Sequence, residues 1–481
     1  MEDKIVKSTI IYTVLGLLPL SFALVFTPVY LRYLNPEQYG ILNLFSIYSG
    51  ILVNVYTLGV NSAFGFIYWD YYKDKKKVHH LLASTLGLIL ILQLIIFTVG
   101  LIFGNTILNF ILTSPEIFPF YPFGVLTLTY PIFAVFYELF FYYYRNESKI
   151  KSYAILNIGA LVLLTVGSIL GILVFNLKAE GAILGRTAGY AIIITSFLIH
   201  LIFKVGVKFE LKISKKLLKF GIPLMLTTII GGITYSVDRI MVERFSSIKE
   251  LGIYGLAIVI VSTIEIWFNA LNNSLSPTIF KNMKDGVNKN ENKIHTLSHL
   301  IVMSVLLAST ILIMIAKPVI ELIAPKEYYE AIIYVPILSI AFAGRVFSNL
   351  KSYIFYLNKT TKILPIIQII SLVVTVFGIF LLHEHIGLYG IPFALLIVKN
   401  LEILVVNIFA NRVQRFSFKF RNLYILWIIT ICSVLIMSNF SFQFESNWIY
   451  CIPFITLVIF APIVTKSEIS EVYKLIVKKN S

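Results

Sequence analysis

Long apolar segments separated by short polar connections run through almost the whole chain. A membrane-spanning helix needs about 20 consecutive apolar residues. Fourteen segments meet this description, with ends uncertain by several residues: 9–32, 40–66, 81–104, 119–143, 152–176, 181–203, 220–242, 251–275, 297–316, 331–355, 363–382, 387–409, 422–439 and 447–465. The first is too long for the apolar core of a signal peptide and has no small-residue cleavage site behind it, so we expect it to be retained. The pattern predicts an all-α membrane protein with about 14 transmembrane helices.

Polar residues inside these segments recur at helical spacing. In span 2 they are Asn43, Ser46, Gly50, Asn54, Thr57 and Asn61, and in span 8 they are Ser262, Glu265, Asn269, Asn273 and Ser276. Steps of three and four place each set on one helix face. Span 10 carries a similar stripe that includes Arg345, Ser348 and Asn349. Such faces either join packed helices by hydrogen bonds or line a polar cavity, and the sequence leaves both interpretations open. The candidate cavity-lining residues are Asn54, Asn61, Glu265, Asn269, Asn273 and Asn349.

Two weak sequence matches share one offset. "EQYGILNL" at 37–44 aligns with "KELGIYGL" at 249–256 when Gly40 is placed on Gly252, and the same shift aligns Tyr144 and Asn146 with Tyr356 and Asn358. The shared shift predicts two six-helix bundles, residues 1–210 and 211–415, followed by two additional transmembrane helices and a cytoplasmic tail in 416–481. Units with an even number of spans share one orientation, so the repeat is expected to be parallel, about a pseudo-twofold axis along the membrane normal.

Composition supports the membrane assignment and charge supplies the orientation. Apolar residues make up 58% of the chain and charged residues 13%, whereas soluble proteins carry roughly a quarter charged residues. Alternate connections hold 29 Lys and Arg on one side and 6 on the other. The positive-inside rule places the richer side, with both termini, in the cytoplasm. The net charge of +16 is therefore a topology signal, and nucleic acid is not an expected partner.

Several kinds of site are not indicated. The two cysteines, Cys432 and Cys451, lie in apolar segments outside any Cys/His cluster, so neither a metal site nor a cofactor is expected. The longest outer connection has about fifteen residues and no Lys or Arg. That is too short for a folded catalytic domain, and no catalytic residue is proposed.

Nine ionisable residues fall inside the predicted spans, where they are costly and normally face a bundle interior or a water-filled cavity. They are Arg186, Arg239, Arg345, Lys351, Lys399, Glu138, Asp238, Glu265 and Glu402. Arg345 is near mid-span with no carboxylate three or four residues away, which favours a functional role. The alternative is a structural pair with Glu265 or Glu138.

The other charged positions carry their own alternatives. Lys399 and Glu402 are helical neighbours that can pair with each other. Arg186 lies near a span end, where it can extend to the headgroups. Asp238 and Arg239 lie near the outer end of span 7, and a structural gate between the two halves is the favoured interpretation over diphosphate contact or simple extension to the headgroups.

The chain resembles the Wzx-type polysaccharide flippases of the multidrug/oligosaccharidyl-lipid/polysaccharide exporter superfamily. The resemblance rests on "YLNPEQYGILNLF" after span 1, on "KFGIPL", "DRIMVERF" and "KELGIYGLA" within 219–257, and on "LSPTIFKNMKD" at 275–285. It covers nearly the whole chain, but its motifs are mostly structural and specify the family better than the substrate.

The resemblance implies transfer of undecaprenyl-diphosphate-linked oligosaccharide repeat units to the outer leaflet by alternating access, as in O-antigen or capsule biosynthesis, without enzymatic chemistry. It makes the cations Arg345, Arg239, Arg186 and Lys399 candidates for the diphosphate, and Asp238, Glu138 and Glu402 candidates for gating or coupling. Expected partners are the lipid-linked glycan, membrane lipids, H⁺ or Na⁺ as coupling ion, and polymerase and chain-length proteins of the same pathway. A lipid II flippase and a multidrug exporter remain alternatives, and a membrane polysaccharide polymerase is a weaker one.

Overall fold

The computed structural model describes residues 24–286, 289–360, 362–414, 418, 420–441 and 447–464, and in these residues the regular structure is helical. The helices are α1 (24–33), α2 (Pro36–Thr57), α3 (Val60–Tyr71), α4 (Lys75–Ile111), α5 (Val125–Asn146), α6 (Ile150–Leu173), α7 (Lys178–Val205), α8 (Leu211–Phe245), α9 (Ile248–Lys284), α10 (Glu291–Ile323), α11 (Ala331–Leu357), α12 (Ile363–Ile386), α13 (Gly390–Val413), α14 (Arg421–Ser441) and α15 (Ile452–Val464). The protein is an all-α, multi-pass membrane protein.

Each of the fourteen predicted spans overlaps a described helix, although several helices, such as α4 and α8, are longer than the spans predicted for them. Eleven helical stretches in the described ranges are long and apolar enough to cross a membrane. One of them, Ile363–Val413, contains both α12 and α13. Residues 9–23 of the first predicted span, the residues before it and the predicted cytoplasmic tail after 464 lie outside the described residues.

Predicted span 2 is two helices, which corrects the expectation of one continuous polar stripe. The backbone turns at Leu58 and Gly59, with φ of 44° and 73°. At the turn, a Cβ on Gly59 would lie 2.0 Å from the carbonyl oxygen of Gly221 on α8. Only glycine permits both this left-handed conformation and this approach without strain. Asn61 therefore belongs to α3, beyond the break, and is not in line with Asn54 on α2.

The chain divides into two compact units, Met1–Gly252 and Ile253–Ser481. In the first unit, α6 packs on α7 and α2 packs on α5. The glycines of "GAILGRTAG" provide the close α6–α7 packing that the sequence predicts, since a Cβ on Gly181 would lie 2.2 Å from the Gly171 carbonyl oxygen. In the second unit, α11 packs against α13 and α10. The 1–210 and 211–415 bundle boundaries stay predictions.

Helix α8 belongs to the first compact unit, although the predicted repeat assigns it to the second half. It packs against α2 and α3. Near its start, Lys216 Nζ lies 2.9 Å from Asp70 Oδ2. Near its end, the carboxylate of Glu243 accepts a hydrogen bond of 2.9 Å from the backbone amide of Thr113. The helix is thus held to the first unit at both ends.

Helix boundaries follow the predicted repeat. The shift that takes Gly40 to Gly252 also takes the first residue of α2, Pro36, to Ile248, where α9 begins. It takes the last residue of α4, Ile111, to Ile323, where α10 ends, and the start of α7 to the start of α13. Matched helix lengths and connections along two stretches of sequence are what a duplicated helical unit produces.

The first turns of α2 and α9 also approach each other closely at two pairs of residues that the repeat relates. A Cβ on Gly40 would lie 1.9 Å from the carbonyl oxygen of Ile248, and one on Gly252 would lie 1.8 Å from that of Pro36. Gly40 and Gly252 are equivalent in the repeat, as are Pro36 and Ile248. Both close approaches of backbone to backbone lie within the first unit.

Candidate functional site

Arg345 lies on α11, the most buried of the candidate spans within the described ranges. Of the residues in its most apolar stretch, 83% are buried, compared with 61% for α9, the next most buried candidate span. A helix so placed brings its polar side chains against neighbouring helices. A lone arginine at the centre of a spanning helix costs about 2.5–3.5 kcal/mol. Contacts with the neighbouring helices offset this cost for Arg345.

The guanidinium of Arg345 donates a hydrogen bond from Nη1 to Oε1 of Glu265 on α9. It also lies 5.4 Å from the ring centroid of Phe342, one turn earlier on α11. The pair is neutral, yet the two side chains keep 27% and 22% of their surface exposed. Of the two partners considered from the sequence, the structure pairs Arg345 with Glu265. Glu138 instead accepts a hydrogen bond of 3.1 Å from Asn61 in the first unit.

A second ion pair lies on α13. Lys399 Nζ is 2.6 Å from Oε2 of Glu402, so the predicted i,i+3 pair is confirmed. The Glu402 carboxylate also accepts hydrogen bonds from Ser348 on α11 at 3.3 Å and from Ser371 on α12 at 3.2 Å. Satisfying both carboxylate oxygens in this way makes a charged group tolerable in an apolar bundle.

Ser348 connects the two ion pairs. Its hydroxyl lies one turn after Arg345 and is within 3.0 Å of the Arg345 carbonyl oxygen as well as 3.3 Å of Glu402. We call Glu265, Arg345, Lys399 and Glu402 the charge cluster. Its two cations and two carboxylates sum to zero formal charge and come from α9, α11 and α13.

Lys351 is a further cation in the second unit that sequence reasoning noted but did not assign to a site. It lies on α11 and is 5% exposed. Its ammonium group donates to Oδ1 of Asn407 on α13. Within the described part of the chain, no carboxylate lies within ion-pair distance of it. The sequence signal was its position in an apolar span, but a neutral partner on a helix that is distant in sequence could not be read from spacing.

The predicted polar stripes are only partly enclosed. In span 8, Asn269 is half-buried and Asn273 is exposed, and in span 10 Asn349 is exposed. Asn272, one residue before a predicted position, instead accepts a hydrogen bond from the Tyr353 hydroxyl. That contact joins α9 to α11, so part of the polar surface serves helix packing.

In the first unit, the candidate residues separate into two places. Asn61 is buried and donates to the Val135 carbonyl oxygen at 2.8 Å as well as to Glu138, which fixes α3 on α5. Asn54 donates to a backbone oxygen of its own helix. Arg186 on α7 lies 5.6 Å from the ring centroid of Tyr130 and 3.4 Å from the Ser46 hydroxyl.

Arg239 contacts several groups on its own helix, α8, including Asp238. Arg239 Nε is 3.8 Å from Asp238 Oδ1. The guanidinium also donates to the Tyr235 carbonyl oxygen and the Ser236 hydroxyl, each at 3.1 Å, and lies over the Tyr235 ring. These contacts explain how an apolar helix tolerates two charges. The gating role stays a prediction.

An anion that reaches the charge cluster meets two cations that already have carboxylate partners. A guanidinium matches carboxylate and phosphate oxygens by the same planar fork. An anion near Arg345 would share the guanidinium, which has five N–H donors, with Glu265.

Comparison with protein families gives the identification. Residues 5–283, more than half of the chain, match the family described as "Polysaccharide biosynthesis protein". The chain belongs to this polysaccharide biosynthesis protein family. No curated protein matches it.

Solved structures show which fold this polysaccharide biosynthesis protein has. It is similar to the lipid II flippase MurJ in an inward closed conformation, with TM-score 0.71, 16% identity, and coverage of 96% of this chain and 98% of MurJ. It is also similar to an inward-facing multidrug resistance MATE transporter of the MOP superfamily, with TM-score 0.69, 17% identity, and coverage of 83% and 96%. A MOP superfamily transporter from Pyrococcus furiosus gives TM-score 0.57 at 16% identity, with 85% and 95% covered. The chain therefore shares the fold of these solved transporters.

Proposed function

We propose that this protein is a flippase that moves undecaprenyl-diphosphate-linked oligosaccharide repeat units from the cytoplasmic to the outer leaflet for surface polysaccharide biosynthesis. The observation that carries the proposal is the charge cluster inside the membrane bundle of a polysaccharide biosynthesis protein. A diphosphate is anionic and a glycan is polar, so both need a polar environment within the bilayer. The undecaprenyl chain is apolar and can stay in lipid.

In this proposal Arg345 is the first contact for the diphosphate, and Glu265 is its competitor. The charge cluster pairs each cation with a carboxylate, which limits the cost of placing these charges in a span. Substrate displaces Glu265, and the freed carboxylate takes up H⁺ or Na⁺. Exchange of one partner for another would thereby couple ion binding to glycan binding. Lys399 and Glu402 hold the neighbouring helices and keep the local field neutral, while Arg186 and Arg239 are further candidates for the passing diphosphate.

The proposed topology has both termini in the cytoplasm. It follows from the distribution of Lys and Arg among the connections. Cysteines introduced at Lys76 and Lys284 should then react with membrane-impermeant reagents only in opened cells, and one at Glu116 should react in intact cells. Labelling of the Lys284 position in intact cells would contradict this orientation.

Two related substrates are the alternatives. The likeness to MurJ makes lipid II a candidate, but span 1 has no arginine before Arg32, whereas the resemblance leads us to expect arginines there in lipid II flippases. The likeness to MATE transporters makes a cationic drug a candidate, but an excess of cations over carboxylates within the spans argues against it. A polymerase is disfavoured by the short outer connections.

Depletion of the protein in its native cell separates these functions. The proposal expects surface polysaccharide to fall while the undecaprenyl-diphosphate-linked repeat unit accumulates, with peptidoglycan synthesis unchanged. Arrest of peptidoglycan synthesis with lipid II accumulation would instead support the lipid II function. Normal levels of both precursors, together with increased drug sensitivity, would support the exporter function.

A further inference from the structure

The beginnings of α4 and α8 bring together two lysine-rich segments of the first unit that are far apart in sequence. The backbone amide of Lys208 donates a 3.1 Å hydrogen bond to the Ala83 carbonyl oxygen on α4. His80 on α4 bonds to the carboxylate of Glu210, which precedes α8. The backbone approach is close, since a Cβ on Gly87 would lie 2.2 Å from the Lys208 carbonyl oxygen. Residues 73–80 and 204–219 therefore form one surface.

This surface is densely cationic. Residues 70–80 and 204–219 contain ten lysines and three carboxylates, a net charge of +7 with histidines neutral. All ten lysines are exposed: Lys73, Lys75, Lys76, Lys77, Lys204, Lys208, Lys212, Lys215, Lys216 and Lys219. We call them the basic surface.

Its carboxylates are each engaged locally and leave most of the lysines to other partners. Asp70 binds Lys216 at 2.9 Å. Asp74 caps α4 by accepting the Lys76 backbone amide at 3.0 Å, and backbone hydrogen bonds from Lys77 and Lys76 lower the pKa of its carboxyl group. The remaining positive charge points to an anionic partner.

Exposed apolar and aromatic side chains are interleaved with these lysines. Val207, Phe209 and Leu211 alternate with Lys208 and Glu210 and are exposed. Trp69 and Tyr72 are also exposed and directly precede the other lysine-rich segment, residues 73–80. Tryptophan and tyrosine are enriched where membrane meets water, and an apolar face bordered by lysines is typical of segments that lie in the headgroup layer.

The surface lies where a bilayer boundary is expected. Both α4 and α8 are candidate membrane spans, and the basic surface covers their first turns and the connections that precede them. A small soluble anion would leave Phe209 and Leu211 in water, whereas lipid at a membrane boundary contacts both the lysines and these apolar groups. Charge and apolarity together fit a lipid headgroup layer better than a free anion.

We propose that the basic surface is a binding site for anionic phospholipid headgroups, separate from the charge cluster and from the proposed glycan. It fixes the start of α8 against one leaflet and makes the protein prefer phosphatidylglycerol over phosphatidylcholine as a neighbour. The proposal does not depend on which glycan is carried, so it can fail or succeed independently of the proposed function.

The test measures phosphatidylglycerol binding to the full-length protein in detergent by native mass spectrometry, with phosphatidylcholine as the reference lipid. The variant replaces Lys208, Lys212, Lys215 and Lys219 by Gln. The matched control replaces Lys281, Lys284, Lys289 and Lys293 by Gln, four exposed lysines at the α9–α10 connection of the second unit. Both variants lose four positive charges. Unspecific charge attraction therefore affects both equally.

We expect the test variant to lose phosphatidylglycerol affinity by at least about fivefold, the effect of one lysine near an anionic surface, and the control to stay within about twofold. Raising ionic strength should weaken phosphatidylglycerol binding to the unchanged protein, a result that needs no variant to fold. Equal loss in both variants, equal binding of the two lipids, or binding insensitive to salt would each overturn the proposal.

Discussion

Breaking the Arg345–Glu265 pair should destabilise the second unit, and removing both partners should restore part of the loss. Removing one partner of a buried ion pair costs about 3–5 kcal/mol, because the other charge is left without compensation. These side chains retain 27% and 22% exposure, so water can partly solvate the remaining charge. We therefore expect Arg345→Ala to cost about 2–3 kcal/mol of unfolding free energy, below the fully buried value.

Glu265→Gln should cost less, about 1 kcal/mol, because the amide keeps an oxygen that accepts from the guanidinium. The double variant Arg345→Ala/Glu265→Gln leaves no unpaired charge at this position. Its loss should fall short of the sum of the single losses by at least about 1 kcal/mol. Unfolding of the purified protein by titration with a denaturing detergent, followed by circular dichroism, supplies the four free energies.

Binding of undecaprenyl diphosphate to the same variants tests the competition. Glu265→Gln should bind it more tightly than the unchanged protein, since a neutral amide competes more weakly for Arg345 than a carboxylate does. Arg345→Ala should bind it weakly even where the protein is folded. Additive stability losses, or Glu265→Gln binding the diphosphate no better than the unchanged protein, would refute the reasoning.

Two further predictions concern the first unit. Gly252→Ala should cost about 1–3 kcal/mol of unfolding free energy, because its Cβ would lie 1.8 Å from the Pro36 carbonyl oxygen. Gly232→Ala is the matched control and should not destabilise the protein, because a Cβ there would have nothing within 4 Å. Equal losses of the two variants in a detergent unfolding titration would contradict the contact. Burial raises the pKa of Glu147, but hydrogen bonds from Tyr68 and from Lys149 outweigh it and lower that pKa below its ordinary value of 4.5. Glu147→Gln should therefore cost about 1 kcal/mol or less of unfolding free energy at pH 7, since solvent screens this partly exposed group. The difference in unfolding free energy from the unchanged protein should shrink as the pH falls below 4.5 and through the lower folded-state pKa of Glu147. A difference that stays constant with pH would count against this interaction.

Local spacing explains which parts of the site could be predicted from the sequence. Lys399 and Glu402 are three positions apart on one helix, so their contact needs no knowledge of the fold. Arg345 and Glu265 lie on different helices that are far apart in sequence, and the periodicity of each helix does not say which helices are neighbours. Glu138 was therefore an equal candidate, and the packing of α11 against its neighbours decides for Glu265.

The parts of the fold that depend on the length of an apolar segment could be predicted from the sequence. The parts that depend on local backbone geometry were harder to predict. Long apolar runs predict spans regardless of their neighbours, and the repeat was visible in a few residues around Gly40 and Gly252. The break at Leu58 was missed because a leucine with positive φ has no composition signal. It persists because Gly59 crosses α8 at Gly221, a contact between distant parts of the chain.

The basic surface shows the same limit in another form. Each lysine-rich segment could be assigned to the cytoplasmic side from charge counting alone. That the two segments join through Lys208 and Ala83, and are interleaved with exposed Phe209, depends on how α8 packs beside α4. The lysines of each segment therefore indicate topology in the sequence, but they form the basic surface only in the folded unit.

The most direct test of the central proposal is transbilayer movement of an undecaprenyl-diphosphate-linked oligosaccharide by the purified protein in sealed vesicles. Glycan in the outer vesicle leaflet is removed by an added glycosidase, and the fraction that becomes accessible with time reports movement. The account predicts that vesicles with the unchanged protein lose nearly all of the glycan, that vesicles without protein stop at about half, and that a folded Arg345→Ala protein is slowed by at least about tenfold. Half-removal in the presence of the unchanged protein, across a range of pH and Na⁺ gradients, would contradict it.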